Sequence, residues 1–168
     1  PVGYSCSGVV IEVGAQSRGL KVGDKVACCG GGHANHAEIC AMPANLMSRV
    51  PDGVAMSTAS ITTIAAIALH GIRLAEPTLG ERVAVIGTGL VGQIACRLLS
   101  AHGCEVIAID VDSKRVEYAV ANGSDHGQLV NDETIANVES VTAGHGVDRV
   151  IVTAASSDPA PLALGAAI

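Results

Sequence analysis

The apolar and polar positions of the first fifty residues follow a strand-like pattern. Short β-branched runs alternate there with turns that contain Gly or Pro. Strands are predicted at 8–14, at the end of 17–26 after a turn, and as a short alternating segment at 36–40. Residues 51–53 read Pro-Asp-Gly, which is a strong turn signal. These elements predict part of a β-barrel or β-sandwich.

After residue 53 the pattern is first helical and then alternates between strand and helix. Small and apolar residues run without a breaker from Ser57 to Ile72, which predicts one buried helix. The predicted strands that follow are 82–86, 105–109, 129–130 and 149–153, and the predicted helices are 90–102, 112–122, 132–142 and one that begins near Pro161. Such alternation predicts an α/β fold with a doubly wound parallel sheet and helices on both faces.

Local signals support these boundaries. Asp112 is expected to cap the helix that follows it, and Gly103 and Gly123 are expected to end helices. We predict two domains: a partial β domain at 1–53 and a doubly wound domain at 54–168.

Composition and charge exclude several classes of partner. Half of the chain is apolar, but it contains no Phe or Trp, and Tyr4 and Tyr118 are its only aromatic residues. Stacking platforms for single-stranded nucleic acid are therefore absent. The net charge of −6 and the scattered basic residues argue against nucleic acid and against a membrane surface as partners. The uncharged stretch 54–70 is shorter than the ~20 residues that a membrane span needs.

The cysteines leave a metal site open as an alternative. Six cysteines without a Cys-x-x-Cys pair are typical of a reduced, cytoplasmic chain. Five possible ligands lie within thirteen positions, and they could bind Zn²⁺ although their spacing fits no known motif: Cys28, Cys29, His33, His36 and Cys40. We favour a structural role for them, and His36 is read as filling a packing site.

The most specific signal is a glycine loop between a predicted strand and a predicted helix. Residues 83–92 read Val-Ala-Val-Ile-Gly-Thr-Gly-Leu-Val-Gly. In this context Gly87 allows a tight turn, Gly89 allows the main chain to approach a pyrophosphate, and Gly92 allows close packing of helix and sheet. The free N–H groups at the helix start favour an anion. A doubly wound domain that binds no nucleotide is the alternative.

Asp110, at the end of the next predicted strand, favours NAD over NADP. Its carboxylate can accept both hydroxyl protons of an adenosine ribose but would repel a 2′-phosphate, because like charges ~4 Å apart at a surface-like dielectric repel by ~4 kcal/mol. Lys114 and Arg115 could soften this preference. The predicted cofactor-binding residues are Gly87, Thr88, Gly89, Leu90, Val91, Gly92, Asp110, Val111, Arg115, Thr153 and Ala154.

Taken together, these motifs resemble the medium-chain dehydrogenase/reductase superfamily. The matching segments are 8–14, 20–26, 37–38, 50–53, the glycine loop, Asp110 and 144–148. The resemblance implies a GroES-like catalytic domain followed by a Rossmann domain, and hydride transfer between NAD(H) and a small-molecule alcohol or carbonyl substrate. It also implies a homo-oligomer for the full-length form. Because only four strands of the sheet order 3-2-1-4-5-6 are expected, we predict that the chain is part of a longer protein.

Departures from the family pattern argue against a catalytic zinc. Zinc-dependent members carry Gly-His-Glu where this chain has Gly3-Tyr4-Ser5, and a cysteine where it has Thr63 or Ile64. With two of three protein ligands replaced, a catalytic zinc is not expected. The four-cysteine lobe of the structural zinc is also missing. The chain is most similar to zinc-independent members, among them dehydrogenase modules of bacterial cell-envelope polysaccharide gene clusters.

The catalytic residues are unknown at this stage. Tyr4 stands at the former ligand position, where it could donate a hydrogen bond to a substrate oxygen or simply fill space. His70 is read as a structural residue at a helix end. The leading hypothesis is an NAD(H)-dependent oxidoreductase without catalytic zinc, with sugar-related substrates among its candidates. The alternative is a non-catalytic NAD-binding module that serves a partner domain or senses redox state.

Overall fold

The structure is a computed structural model that describes residues 2–168. Its internal contacts divide the chain into two compact units, of which the first ends at Ala66 and the second runs from Ile67 to Ile168. The domain boundary between residues 53 and 54 stays a prediction. No helix among the described residues combines the length and the apolar character needed to cross a membrane.

The first unit contains a three-stranded antiparallel sheet. Its strands β1 (Ser5–Val9), β2 (Lys25–Cys29) and β3 (Met47–Arg49) are neighbours in chain order. The short helix α1 (Met56–Ala59) contacts β1 and β2. Helix α2 (Thr62–Ala75) begins in this unit and continues into the second.

Two strand predictions for this unit are wrong. The strand predicted at 8–14 lies at Ser5–Val9, because β2 begins only at Lys25 and leaves residues 11–14 without a partner strand. The segment predicted at 36–40 forms bends instead of a strand. Its backbone turns back locally, since the Ala37 N–H donates to the Asn35 carbonyl at 3.0 Å.

The single helix predicted from Ser57 to Ile72 is also wrong, since it is interrupted between α1 and α2. Two hydroxyl side chains at the break bond to the backbone of the preceding turn. The Ser60 hydroxyl donates to the Ser57 carbonyl, and the Thr62 hydroxyl donates to the Ala59 carbonyl, both at 2.7 Å. Such local bonds offer the backbone an alternative to a continuous helix.

The second unit is the predicted parallel α/β domain. Its elements in chain order are β4 (Arg82–Ile86), α3 (Leu90–His102), β5 (Glu105–Asp110), α4 (Ser113–Ala121), β6 (His126–Leu129), α5 (Thr134–Val141), β7 (Arg149–Val152) and α6 (Ala160–Ala167). The sheet order β6-β5-β4-β7 is parallel throughout and corresponds to strands 3-2-1-4 of the doubly wound order. The predicted partial Rossmann sheet is confirmed.

Helices cover both faces of this sheet, as predicted. On β4, Val83 and Val85 face a core that includes Leu99 of α3, whereas Ala84 and Ile86 face a core that includes Val138 of α5. All six side chains are almost fully buried. A strand buried on both faces must be apolar at every position, which explains the unbroken Val-Ala-Val-Ile run.

The predicted helix boundaries of the first two crossovers hold. Gly103 ends α3 in the left-handed conformation at φ 88°, and the Asp112 carboxylate caps α4 by accepting the Lys114 N–H at 2.9 Å. The third strand begins at His126 rather than at 129. There Gly127 lets α4 pack close, because a Cβ at this position would lie 2.7 Å from the Val116 side chain.

Candidate functional site

The glycine loop joins β4 to α3, where two of its glycines are required by close packing. Gly87 has φ +94°, and a Cβ there would lie 2.5 Å from the Ala154 backbone nitrogen. A Cβ on Gly92 would overlap the Gly87 carbonyl oxygen and lie 2.8 Å from the Thr153 hydroxyl. These contacts hold the helix against the sheet at the distance that the motif predicts.

Gly89 differs from these two glycines because a side chain at this position would point into open space. A Cβ there would meet no atom within 4 Å, and the backbone conformation, with φ −68°, suits any residue. Gly89 occupies the N-cap position of α3 and offers no side-chain cap. The first N–H groups of the helix therefore have no intrahelical partner and face a space that a small anion can enter.

Asp110 lies at the carboxyl end of β5, beside this loop, and its side chain is only 4% exposed. Its Oδ2 accepts the Thr88 N–H at 2.6 Å and the Thr88 hydroxyl at 3.2 Å, while its Oδ1 accepts the Asp112 N–H at 3.0 Å. A carboxylate has about four acceptor positions. Three are occupied by the protein itself, so Asp110 holds the loop in place and retains about one free position.

Arg115 adds a positive charge near this carboxylate. Its guanidinium lies 3.6 Å from the Asp112 carboxylate and 4.0 Å from that of Asp110, and its side chain is 56% exposed. Two carboxylates thus flank one largely exposed cation at the end of β5, while Lys114 contributes its backbone N–H to the Asp112 cap.

Sequence reasoning missed Gln93. Its amide nitrogen donates to the Thr88 carbonyl at 3.0 Å and to the Arg115 carbonyl at 2.8 Å, so it links the loop to α4. Its amide oxygen is buried and has no partner among the described residues. The only signal was a polar residue directly after the motif, and nothing in the helix pattern distinguishes it from a solvent-facing position.

The remaining predicted residues surround the same loop. Thr153 follows β7 and donates its N–H to the Ile86 carbonyl at 2.8 Å and its hydroxyl to the Gly87 carbonyl, and the Ala154 N–H donates to Ile86 at 3.1 Å. Leu90 and Val111 present exposed side chains, whereas Val91 packs against the core. The structure brings the predicted set together, and the cofactor role of these residues remains a prediction.

The candidate residues of the first unit do not form a comparable site. The Tyr4 side chain is 45% exposed, and its hydroxyl has no hydrogen-bond partner within residues 2–168. The His36 ring packs against Gly3, where a Cβ would overlap it. No group of three or more His, Cys, Asp or Glu residues in the described part of the chain could hold a metal ion.

Known proteins resemble both the sequence and the fold. Residues 91–167 match the family described as zinc-binding dehydrogenase. An uncharacterized zinc-type alcohol dehydrogenase-like protein from Haemophilus influenzae is 28% identical over 89% of this chain and 52% of its own length. A probable D-xylulose reductase A from Neosartorya fischeri is 29% identical over 70% of this chain and 41% of its own length.

A solved mycobacterial structure, described as complexed with NADPH, matches with a TM-score of 0.77 and 27% identity over 88% of this chain and 48% of that one. The chain spans about half, or less, of the length of the curated relatives it matches. These similarities agree with the order of motifs and with the sheet topology. Together they support the medium-chain dehydrogenase/reductase superfamily as the family of this chain.

Proposed function

We propose that this chain is part of an NAD(H)-dependent oxidoreductase that acts on an alcohol or carbonyl substrate without a catalytic zinc. The observation that carries the proposal is the open space at Gly89, in front of the uncapped start of α3 and beside the Asp110 carboxylate. A ligand with an anion next to a hydroxyl-bearing group suits both features.

The start of α3 would bind the pyrophosphate. The N–H groups of Leu90, Val91 and Gly92 are left without partners by the helix geometry, and the helix dipole adds a partial positive charge. The helix carries no acidic residue in its first turn that would compete with an anion. Gly89 leaves room for the phosphate oxygens to reach these N–H groups.

Asp110 would accept a ribose hydroxyl with its one free acceptor position. A 2′-phosphate at this place would lie near the carboxylates of Asp110 and Asp112, and one partly exposed Arg115 offsets them incompletely. We therefore infer a preference for NAD(H), although the mycobacterial relative is described with NADPH. The preference is expected to be moderate, because Arg115 can turn toward a phosphate.

The nicotinamide, when bound, supplies the hydride chemistry, and the protein supplies position and charge. The relatives named reductases support a carbonyl or alcohol substrate, and D-xylulose reductase supports a sugar-related one. The family that matches residues 91–167 is described as zinc-binding, but the resemblance puts Tyr4 and Thr63 or Ile64 where zinc-dependent members carry zinc ligands. Without zinc, donors such as the free Tyr4 hydroxyl would have to stabilise the substrate oxygen.

The binding step is tested with Gly89→Val, titrated with NADH by calorimetry. The added side chain would occupy the proposed phosphate space, so affinity should fall on the order of 100-fold, or about 2.7 kcal/mol. Gly31→Val is the matched control, because Gly31 also faces open space without a positive φ. An unchanged affinity of Gly89→Val, or no NADH binding by the unmutated protein, would contradict the proposal.

The catalytic step is tested with the full-length protein. NADH oxidation is followed in the presence of a panel of aldehydes, ketones, ketoses and quinones, and NADPH is compared as the second cofactor. We expect turnover with at least one carbonyl and higher affinity for NADH than for NADPH. Binding without turnover across the panel would favour the non-catalytic NAD-binding module.

A further inference from the structure

Three thiols lie together in the first unit, far in sequence from the glycine loop. Cys6 is on β1, Cys28 is on β2, and Cys40 follows the bend region after β2. The thiol of Cys6 interacts with those of both Cys28 and Cys40. All three line a cavity of about 1040 Å³ together with Met42 and Met47. The described residues show no bond between these sulfurs, since all six cysteines are free.

The strand register makes the pair Cys6 and Cys28 unsuitable for a disulfide. The two residues are directly opposite each other in the antiparallel ladder. The Gly30 N–H donates to the Tyr4 carbonyl at 3.0 Å, so these two opposed residues form a hydrogen-bonded pair. Hydrogen-bonded and non-hydrogen-bonded pairs alternate along an antiparallel ladder. Cys6 and Cys28 lie two positions further along and are therefore also a hydrogen-bonded pair. Side chains in such pairs are about 5.5 Å apart at Cβ, whereas a disulfide requires about 3.5–4.5 Å.

Cys40 is not constrained in this way. It belongs to no strand, and its thiol donates only a long hydrogen bond of 3.5 Å to the Asn35 carbonyl. The disulfide would require the Cys40 sulfur to move to that of Cys6 by a change of rotamer and a shift of the bend, and no strand pairing of Cys40 opposes that movement. We propose that Cys6 and Cys40 form a site of thiol oxidation, in which a hydroperoxide converts the pair to a disulfide.

The reaction balances with the hydroperoxide as the only oxidant. The Cys40 sulfur attacks one oxygen of hydrogen peroxide while the proton of its thiol passes to the other oxygen; the O–O bond breaks, Cys40 becomes a sulfenic acid, and the second oxygen leaves as water. The Cys6 sulfur then displaces the hydroxyl group from the Cys40 sulfur, and its proton leaves with that group as a second water. Two thiols lose two electrons and two protons, and the peroxide is reduced to two waters.

The state of the other thiols agrees with these roles. Burial, and then the neighbouring Cys40, raises the pKa of the Cys6 thiol, so Cys6 is assigned the second step rather than the attack on the peroxide. Burial raises the pKa of Cys28 to about 12, so Cys28 is a poor nucleophile and remains a thiol.

The site is tested by treating the reduced, purified protein with hydrogen peroxide and mapping its disulfides by mass spectrometry. Free thiols are alkylated, and the protein is cleaved without reduction after Lys, Arg and Glu. This cleavage separates the three cysteines, because Cys6 lies in a peptide that ends at Glu12, Cys28 lies in 26–38 and Cys40 lies in 39–49. The expected product is the Cys6 peptide linked to 39–49, with the loss of two hydrogen atoms.

Three serine variants provide the controls. Cys40→Ser should abolish the linked peptide, whereas Cys29→Ser and Cys28→Ser should retain it. A link from 26–38 to either of the other peptides, loss of the product in Cys28→Ser, or full alkylation of Cys6 and Cys40 after peroxide treatment would overturn the proposal. The unmutated protein alone decides between these outcomes, so a variant that fails to fold does not leave the question open.

Discussion

The two units of this chain differ in how completely they bury their side chains. In the second unit, Leu99, Val83 and Ile109 are 0% exposed and lie in cores on both faces of a sheet. In the first unit, the buried group is smaller, and its largest member, Leu20, is still 9% exposed. The comparison shows that the parallel strand–helix connections that position the glycine loop also surround it with a fully buried core.

Their glycine-rich segments differ in the same way. Residues 30–32 follow the buried strand β2, and residues 87–92 follow the buried strand β4. Gly31 meets no neighbour that would oppose a Cβ, whereas Gly87 and Gly92 would place one against backbone. Glycine content alone is therefore uninformative, and the parallel strand and helix on either side give the loop its meaning.

The largest effect is expected from emptying the better-packed core. Leu99→Ala should destabilise the second unit by about 4 kcal/mol, because a fully buried site cannot collapse around the cavity. Leu20→Ala in the first unit should cost about 2 kcal/mol, near the lower end for such changes. Urea unfolding of both variants measures the difference, and equal costs would show that the two cores are packed alike.

The next effect compares the two glycine segments directly. Gly92→Ala should destabilise the protein by about 2 kcal/mol, since overlap with the Gly87 carbonyl costs about 3 kcal/mol and better helix propensity returns about 1 kcal/mol. Gly31→Ala should stay within about 0.5 kcal/mol of the unmutated protein. The midpoint of urea unfolding is the measurement, and a stabilised Gly92→Ala would mean that the loop moves freely from the sheet.

The fold of the second unit was predictable because its signals are local. A strand that is apolar at every position, a glycine stop such as Gly103 and a cap such as Asp112 act within a few residues of each other. The first unit depends on partners far along the chain. Strand β3, which pairs with β2, covers only Met47–Arg49, and no pattern of three residues can indicate it.

The candidate site was predictable to the same extent. The glycines and Asp110 stand in a motif whose spacing carries the geometry. The number of acceptor positions that Asp110 keeps free for a ligand was not predictable, because its bond to the Thr88 backbone forms only when the loop closes over the end of β5. Gln93 was missed for the same reason, since both of its partners are carbonyls that the folded loop and α4 supply.

A smaller effect tests whether local caps matter more in the second unit. Asp112→Ala removes the carboxylate that accepts the Lys114 N–H, and it should cost about 1 kcal/mol. Asp52→Ala in the Pro-Asp-Gly turn is the control, because the Asp52 side chain has no hydrogen-bond partner in the described structure, and a change within about 0.5 kcal/mol is expected. Similar losses of stability in both variants, measured by thermal unfolding, would remove the distinction.

The smallest effect concerns a polar network at the amino ends of the parallel strands. The Glu105 carboxylate is hydrogen-bonded to His126 at 2.9 Å and to Arg82 at 3.0 Å. The bond to His126, and then the bond to Arg82, hold the pKa of Glu105 below its ordinary value of 4.5. A lowered folded pKa contributes stability above about pH 4.5, and that stability is lost as the pH falls through the folded pKa. Because about a third of the side chain is exposed, the contribution should be only about 0.5 kcal/mol.

Glu105→Gln should therefore lower the free energy of unfolding near pH 7, and the difference from the unmutated protein should vanish at acidic pH. Glu117→Gln, at an exposed position of α4, should show neither change. In the first unit, the Lys21 N–H and then Arg49 lower the pKa of the partly exposed Asp24, so Asp24→Asn should follow the same direction with pH. If the difference between Glu105→Gln and the unmutated protein persists at low pH, its cause is packing rather than charge. The two units would then differ in their electrostatics as well as in their cores.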